Sequence, residues 1–199
     1  MIDDTVLALD LALLLPPSPH QMVKTLNRTL SPPPDGFYFD STHLPHITIA
    51  QQFAYQSHVE EMCSRINKVI LATKPLKLCF GEISRSGSAC TLGINSSPAL
   101  TEFHAQLLEC LTPFVSTSGK PDAFWNDNEL PRNRDIEYVH MFRRRSAFSS
   151  FSPHVTLGVG SINIAISQSD FIATKVALCQ LGRFCTCRRV LASWALKEL

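Results

Sequence analysis

The chain has 199 residues, of which 45% are hydrophobic and 18% charged. That is enough apolar material for one domain spanning residues 1–199, and too little charge for a disordered chain. With 18 Lys and Arg against 17 Asp and Glu the formal charge is +1, which excludes a non-specific nucleic-acid coat and confines any nucleic-acid recognition to a small, shaped site.

Thr5–Leu15 reads as a buried strand, apolar and bounded by Asp and Pro. Its run from Val6 to Leu15 is interrupted by Asp10 and is too short to span a bilayer. Asp3 and Asp4 stand where a signal peptide would carry positive charge. Residues 18–30 read as a helix with Ser18 as N-cap and Met22, Val23, Leu26 and Leu30 on one face. Phe37–Phe39 is a short strand candidate, and His46–Phe53 is a second, rich in Ile and Thr. Ser57 opens a second helix in a capping box with Glu60. Leu76–Ile83 and Ala89–Ile94 form a hairpin around Ser86-Gly87-Ser88. Residues 98–115 give a third helix, and 117–134 a long polar loop of the kind that carries function. Ile136–Phe142 and Pro153–Val159 read as paired strands, followed by Phe171–Leu181 and Val190–Leu196. About three helices and eight strands in this order give an α+β fold with mostly antiparallel pairing.

One short repeat stands out. Pro45-His46-Ile47-Thr48-Ile49 recurs as Pro153-His154-Val155-Thr156-Leu157, its histidines 108 residues apart. Of seven histidines, only these two are followed two positions later by Ser or Thr. On a strand, residues i and i+2 share a face, so each copy presents an imidazole beside a hydroxyl while the aliphatic residues turn to the core. Two histidines can divide acid and base work near neutral pH, and two hydroxyls can hold the oxygens of a phosphate. The set suits in-line displacement at phosphorus and lacks the third, orienting group of acyl-transfer chemistry.

The paired H-x-T-x motifs resemble the signature of the 2H phosphoesterase superfamily, which includes 2′-5′ RNA ligase-like proteins and cyclic nucleotide phosphodiesterases. The order of elements is similar over most of the chain. Pro98–Phe114, with Leu100, Phe103-His104 and Leu107-Leu108, resembles the helix between the motifs in the 2′-5′ RNA ligase-like branch. The resemblance implies a bilobal fold of two mostly antiparallel sheets with pseudo-two-fold symmetry around a central cleft, helices outside. It implies metal-independent, cofactor-free phosphodiesterase chemistry on 2′,3′-cyclic phosphates or 2′-5′ bonds of nucleotides or RNA. His46 and His154 would be the acid–base pair and Thr48 and Thr156 the phosphate binders. Which histidine is the base stays open, as does the direction, since the same groups would serve 2′-5′ ligation in reverse. A binding module with little turnover is the competing reading, and the intact His and Thr in both motifs speak against it.

A nucleotide base calls for an aromatic or Arg plane. Tyr38, Phe124-Trp125 and Phe151 are candidates, Trp125 because it sits in a polar loop and Phe151 because it closely precedes the second motif. Residues 1–119 carry 7 Lys and Arg against 10 acids, and 120–199 carry 11 against 7. The surplus includes Arg143-Arg144-Arg145, of which Arg143 is a candidate for a second phosphate. No metal site is expected. His43-Leu44-Pro45-His46 cannot be a helical metal pair with Pro inside it, and Cys185-Thr186-Cys187 with Cys179 has no second pair or neighbouring His in sequence to complete a site. Seven cysteines without a paired pattern fit a reducing compartment, cytoplasmic or nuclear. The expected partner is a nucleotide or short RNA, with no membrane, and the expected state is a monomer.

Overall fold

Burial alternates along the two repeat segments, and the rest of the chain is arranged around them. The computed structural model describes residues 4–117, 119–126, 129–164, 166 and 168–198. In chain order these form β1 (Val6–Leu14), α1 (Pro17–Asn27), β2 (His46–Tyr55), α2 (Val59–Leu71), β3 (Leu76–Ser86), β4 (Ala89–Ile94), α3 (Pro98–Leu111), α4 (Asn133–Arg145), β5 (His154–Val159), β6 (Asp170–Ala173), β7 (Lys175–Leu181) and β8 (Cys187–Ala195). Two antiparallel four-stranded sheets result, in the orders β2-β1-β7-β8 and β5-β4-β3-β6. Each repeat segment is an edge strand, and the two edges, β2 and β5, lie against one another.

The main core lies between the sheets and the helices. From β1 it takes Leu7, Leu9, Leu11 and Leu13; from α2, Met62, Ile66 and Ile70; from α3, Leu100, Phe103, Leu107 and Leu108. The other face of β1 carries Ala8, Asp10 and Ala12, all fully buried. Ala8 packs with Phe53, Phe124, Val139 and Leu181, and Ala12 with Ala177, Cys179 and Cys187. Asp10 is therefore a lone carboxylate between two small apolar clusters. The helices cross between halves: α1, which follows the first strand of one sheet, packs on β5 of the other, and α3, which follows β4, packs on β2.

Several expectations are corrected. Ile136–Phe142 is not a strand but the body of α4. Its buried residues Asp135, Val139 and Phe142 are spaced for one helix face. Asp135 accepts the backbone N–H of Arg132 at 2.9 Å at the N-terminus, while Arg143–Arg145 occupy the last turn, where the helix dipole favours cations. Phe171–Leu181 is two strands rather than one, because Thr174 carries the chain from β6 on β3 to β7 on β1. Phe37–Phe39 makes no ladder; the side chain of Asn27 satisfies its backbone instead. Ser57 does not cap α2, since its N–H and hydroxyl both bind the carboxylate of Asp4 and the helix begins at Val59 after a 3₁₀ turn. Pro16 and Pro17, not Ser18, open α1. In the loop expected over 117–134, residues 118, 127 and 128 lie outside the described residues; the remainder forms a 3₁₀ turn at Pro121–Ala123 and the entry to α4.

Candidate functional site

The alternation expected of the repeats is observed. His46 and Thr48 are partly exposed while Ile47 and Ile49 are fully buried, and the same holds for His154 and Thr156 against Val155 and Leu157. The likeness goes further than side-chain facing. The β1–β2 ladder pairs Ala12 with Thr48 and Leu11 with Ala50, skipping Ile49. The β4–β5 ladder pairs Thr91 with Thr156 and Cys90 with Gly158, skipping Leu157. Each motif thus ends on a β-bulge immediately after its threonine, a device that re-aims neighbouring side chains. Gly158 holds φ +150, and a Cβ there would meet Leu30 at 3.0 Å and Asn27 at 3.3 Å, so α1 can approach β5 only over a glycine.

The four motif side chains line one cavity of 590 Å³, bounded also by Gln51, Thr91, Tyr138, Arg132, Arg134 and Arg145. In both histidines Nδ1 lies 2.8 Å from the carbonyl two residues upstream, Leu44 for His46 and Ser152 for His154. A carbonyl only accepts, so each Nδ1 carries a proton and each Nε2 is left for other chemistry.

The two halves differ in what stands behind the imidazole. Asp10 Oδ2 lies 3.5 Å from His46 Nε2 and accepts the Thr48 hydroxyl at 2.7 Å and the Gln51 amide at 2.6 Å. Burial pushes the pKa of His46 down, but Asp10 and the Leu44 carbonyl outweigh it, and the ring ends above its ordinary value. Burial also pushes His154 down; the Ser152 carbonyl opposes this, the charge of His46 adds to it, and the ring ends below its ordinary value. The Thr48 hydroxyl spends its one proton on Asp10. The Thr156 hydroxyl has no such partner among the described residues.

Of the other candidates, Phe151 lines the cavity and stacks on His104 with centroids 3.7 Å apart. The structure does not bring Arg143, Trp125 and Tyr38 to the cavity. Arg143 turns to α3, donating to Leu108 O and to Thr112 Oγ1. Trp125 lies under Arg189, and Tyr38 under Arg28. Arg132, Phe184 and Phe37 line the cavity in their place. Arg132 lies 3.9 Å over the ring of Phe184, and Phe184 packs on Phe37. Phe184 and Cys185 hold φ of +64 and +52, left-handed values that cost a bulky residue energy, and the Phe184 N–H is held by Asp135 at 3.1 Å. Asp10 and Gln51 were missed; the available signal was the lone charge inside an apolar strand.

Asp10, His46 and Cys187 are the one group among the described residues whose donor atoms approach closely enough to consider a metal ion, lying within 4.8 Å of one another. Ligands of a tetrahedral zinc at 2.0–2.3 Å lie about 3.3–3.8 Å apart, and Asp10 Oδ2 is already engaged by Thr48 and Gln51. No helix among the described residues is long and apolar enough to cross a membrane.

The model of the 2′-5′ RNA ligase superfamily matches residues 15–189. The chain belongs to this family, within the 2H phosphoesterases. No curated protein matches the sequence significantly. Escherichia coli LigT complexed with ATP is similar in structure at TM-score 0.61 and 15% identity, over 97% of this chain and 99% of that one. TT0787 of Thermus thermophilus gives 0.60 at 10% identity over 96% and 99%. The MHV ns2 PDE domain gives 0.52 at 13% identity over 90% and 100%. At these identities the likeness is one of fold. LigT has also been solved with 3′-AMP. As a 2H phosphoesterase, the protein carries both H-x-T motifs of its superfamily on facing sheet edges.

Proposed function

We propose that the protein is a phosphodiesterase that opens 2′,3′-cyclic phosphates or cleaves 2′-5′ bonds of nucleotides or RNA, with His154 as general base and His46 as general acid. The observation that carries this reading is the pair of Nδ1-anchored imidazoles, one beside a carboxylate and one not. His154, neutral, accepts a proton from water at Nε2 as the water oxygen bonds to phosphorus. The bond to the leaving ribose oxygen breaks in line, and His46 Nε2–H supplies the proton that oxygen needs. Ligation is the same path reversed, with the protons exchanged. Thr156 donates to a non-bridging oxygen. Thr48 binds Asp10 and thereby orients the carboxylate toward His46. Arg132 on Phe184 offers a plane for a base, and Arg134 and Arg145 suit a further phosphate. LigT structures with 3′-AMP and ATP support a nucleotide-sized ligand in a fold of this kind.

The test is product analysis on 2′,3′-cyclic mononucleotides, 2′-5′ oligoadenylate and its 3′-5′ isomer. Hydrolysis of one of the first two classes, abolished by His154→Ala, is expected. Absence of turnover on every member, with nucleotide binding intact, overturns the reading in favour of a binding module.

A further inference from the structure

Two buried polar side chains outside the reacting groups are placed in matching ways. His104, on α3, is fully buried. Its Nδ1 donates to Ile49 O at 2.6 Å, and its Nε2 accepts the Phe148 N–H at 2.9 Å. Asn27, the last residue of α1, is also fully buried. Its amide donates to Leu157 O at 2.7 Å and to Phe37 O at 2.9 Å, and its Oδ1 accepts the Phe39 N–H at 2.8 Å.

The partners correspond. Ile49 and Leu157 are the residues skipped by the two bulges. Phe148 lies in the approach to His154, and Phe37–Phe39 in the approach to His46. Each side chain therefore holds the bulge of one motif and the approach to the other. His104 joins the end of the first motif to the entry of the second, and Asn27 joins the end of the second to the entry of the first. The ties cross because α3 packs on β2 and α1 on β5.

We infer that His104 and Asn27 are crossed braces, positioning residues that fix the pose of each His–Thr pair relative to the other. The inference rests on the reading that both pairs act on one phosphate. The chemistry fits. The two facing edge strands have no ladder between them, so side chains that span the two motifs contribute to their relative position. A phosphorus atom between two imidazoles demands that position closely, since about 1 Å of misplacement costs on the order of 100-fold in rate. His104 can brace only as the neutral Nδ1–H tautomer, because a cation would set Nε2–H against the Phe148 N–H. Burial, opposed by the Ile49 carbonyl and assisted by the Arg143 charge, holds its pKa below the ordinary value.

The experiment compares His104→Leu, His104→Gln, Asn27→Leu and the double leucine variant. Gln retains one donor and one acceptor; Leu retains bulk alone. Expected for each single leucine variant is a fall in kcat of at least about tenfold with KM changed by less than about threefold. His104→Gln recovers most of kcat. The double variant loses little more than the worse single one, because both act on the same geometry. If His104→Leu does not fold, His104→Asn, too short to span both bonds, replaces it. A fall in Tm with kcat unchanged, or no recovery by Gln, overturns the inference. Imidazole ¹⁵N NMR gives a readout independent of turnover: each leucine variant is expected to shift the His46 and His154 resonances together, and unchanged resonances also overturn it. A wild-type protein silent on every substrate, with those shifts present, counts against the phosphodiesterase and not against the braces.

Discussion

The carboxylate of Asp10 stands 3.5 Å from Nε2 of His46, the nitrogen that the Leu44 carbonyl leaves open. A fully buried carboxylate at that distance favours the imidazolium. It gives direction to a pair of motifs that are otherwise alike.

The first consequence is a pH profile. With His154 held below the ordinary histidine value and His46 above it, the acid limb of kcat/KM falls below pH 6.5 and the basic limb above it. The groups facing His46 are Asp10 from β1, Cys179 from β7, Cys187 from β8 and His154 across the cleft. Asp10→Asn removes the one carboxylate among them, and burial then lowers His46. The basic limb is expected to move down, narrowing the bell, and the acid limb to move less, because the Asp10 charge is the smallest of the influences on His154. A profile unchanged in Asp10→Asn rejects the assignment of His46 as the acid.

The threonines are expected to differ. Thr156→Ala removes a hydroxyl with no other partner among the described residues, and a loss of about 10²-fold or more in kcat is expected for a donor to the reacting phosphate. Thr48→Ala removes a hydroxyl committed to Asp10, and about tenfold or less is expected. Steady-state kinetics of the two variants decide it; equal losses contradict the asymmetry.

Arg143 and Arg134 give a contrast in binding. Arg143 serves the end of α3, so Arg143→Ala is expected to leave KM alone and to lower stability by on the order of 1 kcal/mol. Arg134 lines the cavity and donates to Ser88, so Arg134→Ala is expected to raise KM for an oligonucleotide more than for a cyclic mononucleotide. Paired kinetics and thermal melts check both.

Two imidazoles suffice for proton transfer in both directions, so turnover is expected to survive saturating EDTA unchanged. A rate lost to the chelator and restored by one divalent cation contradicts this.

Much of the site could be read from the sequence because it is periodic. The spacing of His46, Thr48, His154 and Thr156 is a property of strands, and strands keep it wherever they are placed. What could not be read depends on the third dimension. Asp10 interrupts an apolar run, yet nothing along the chain says that Thr48 lies above it. Arg143 sits near the second motif in sequence, but the helical path of α4, where a strand was expected, turns its guanidinium to α3. Trp125 lies in a polar loop as expected, and the loop carries it to Arg189 instead of the cavity. The split at Thr174 is not legible along the chain, because two consecutive strands of similar composition carry no mark of belonging to different sheets.

The place of β1 bears on how the chain comes together. It is flanked by β2, close in sequence, and by β7, whose Gln180 faces Leu9. The sheet that begins the chain therefore closes last. A nascent chain that ends before Lys175 leaves one edge of β1 bare over Leu9–Leu14, a stretch of Leu and Ala broken only by Asp10. Such an edge invites pairing with a second chain. Its protection waits on the most distant contacts of the fold, which are the slowest to form.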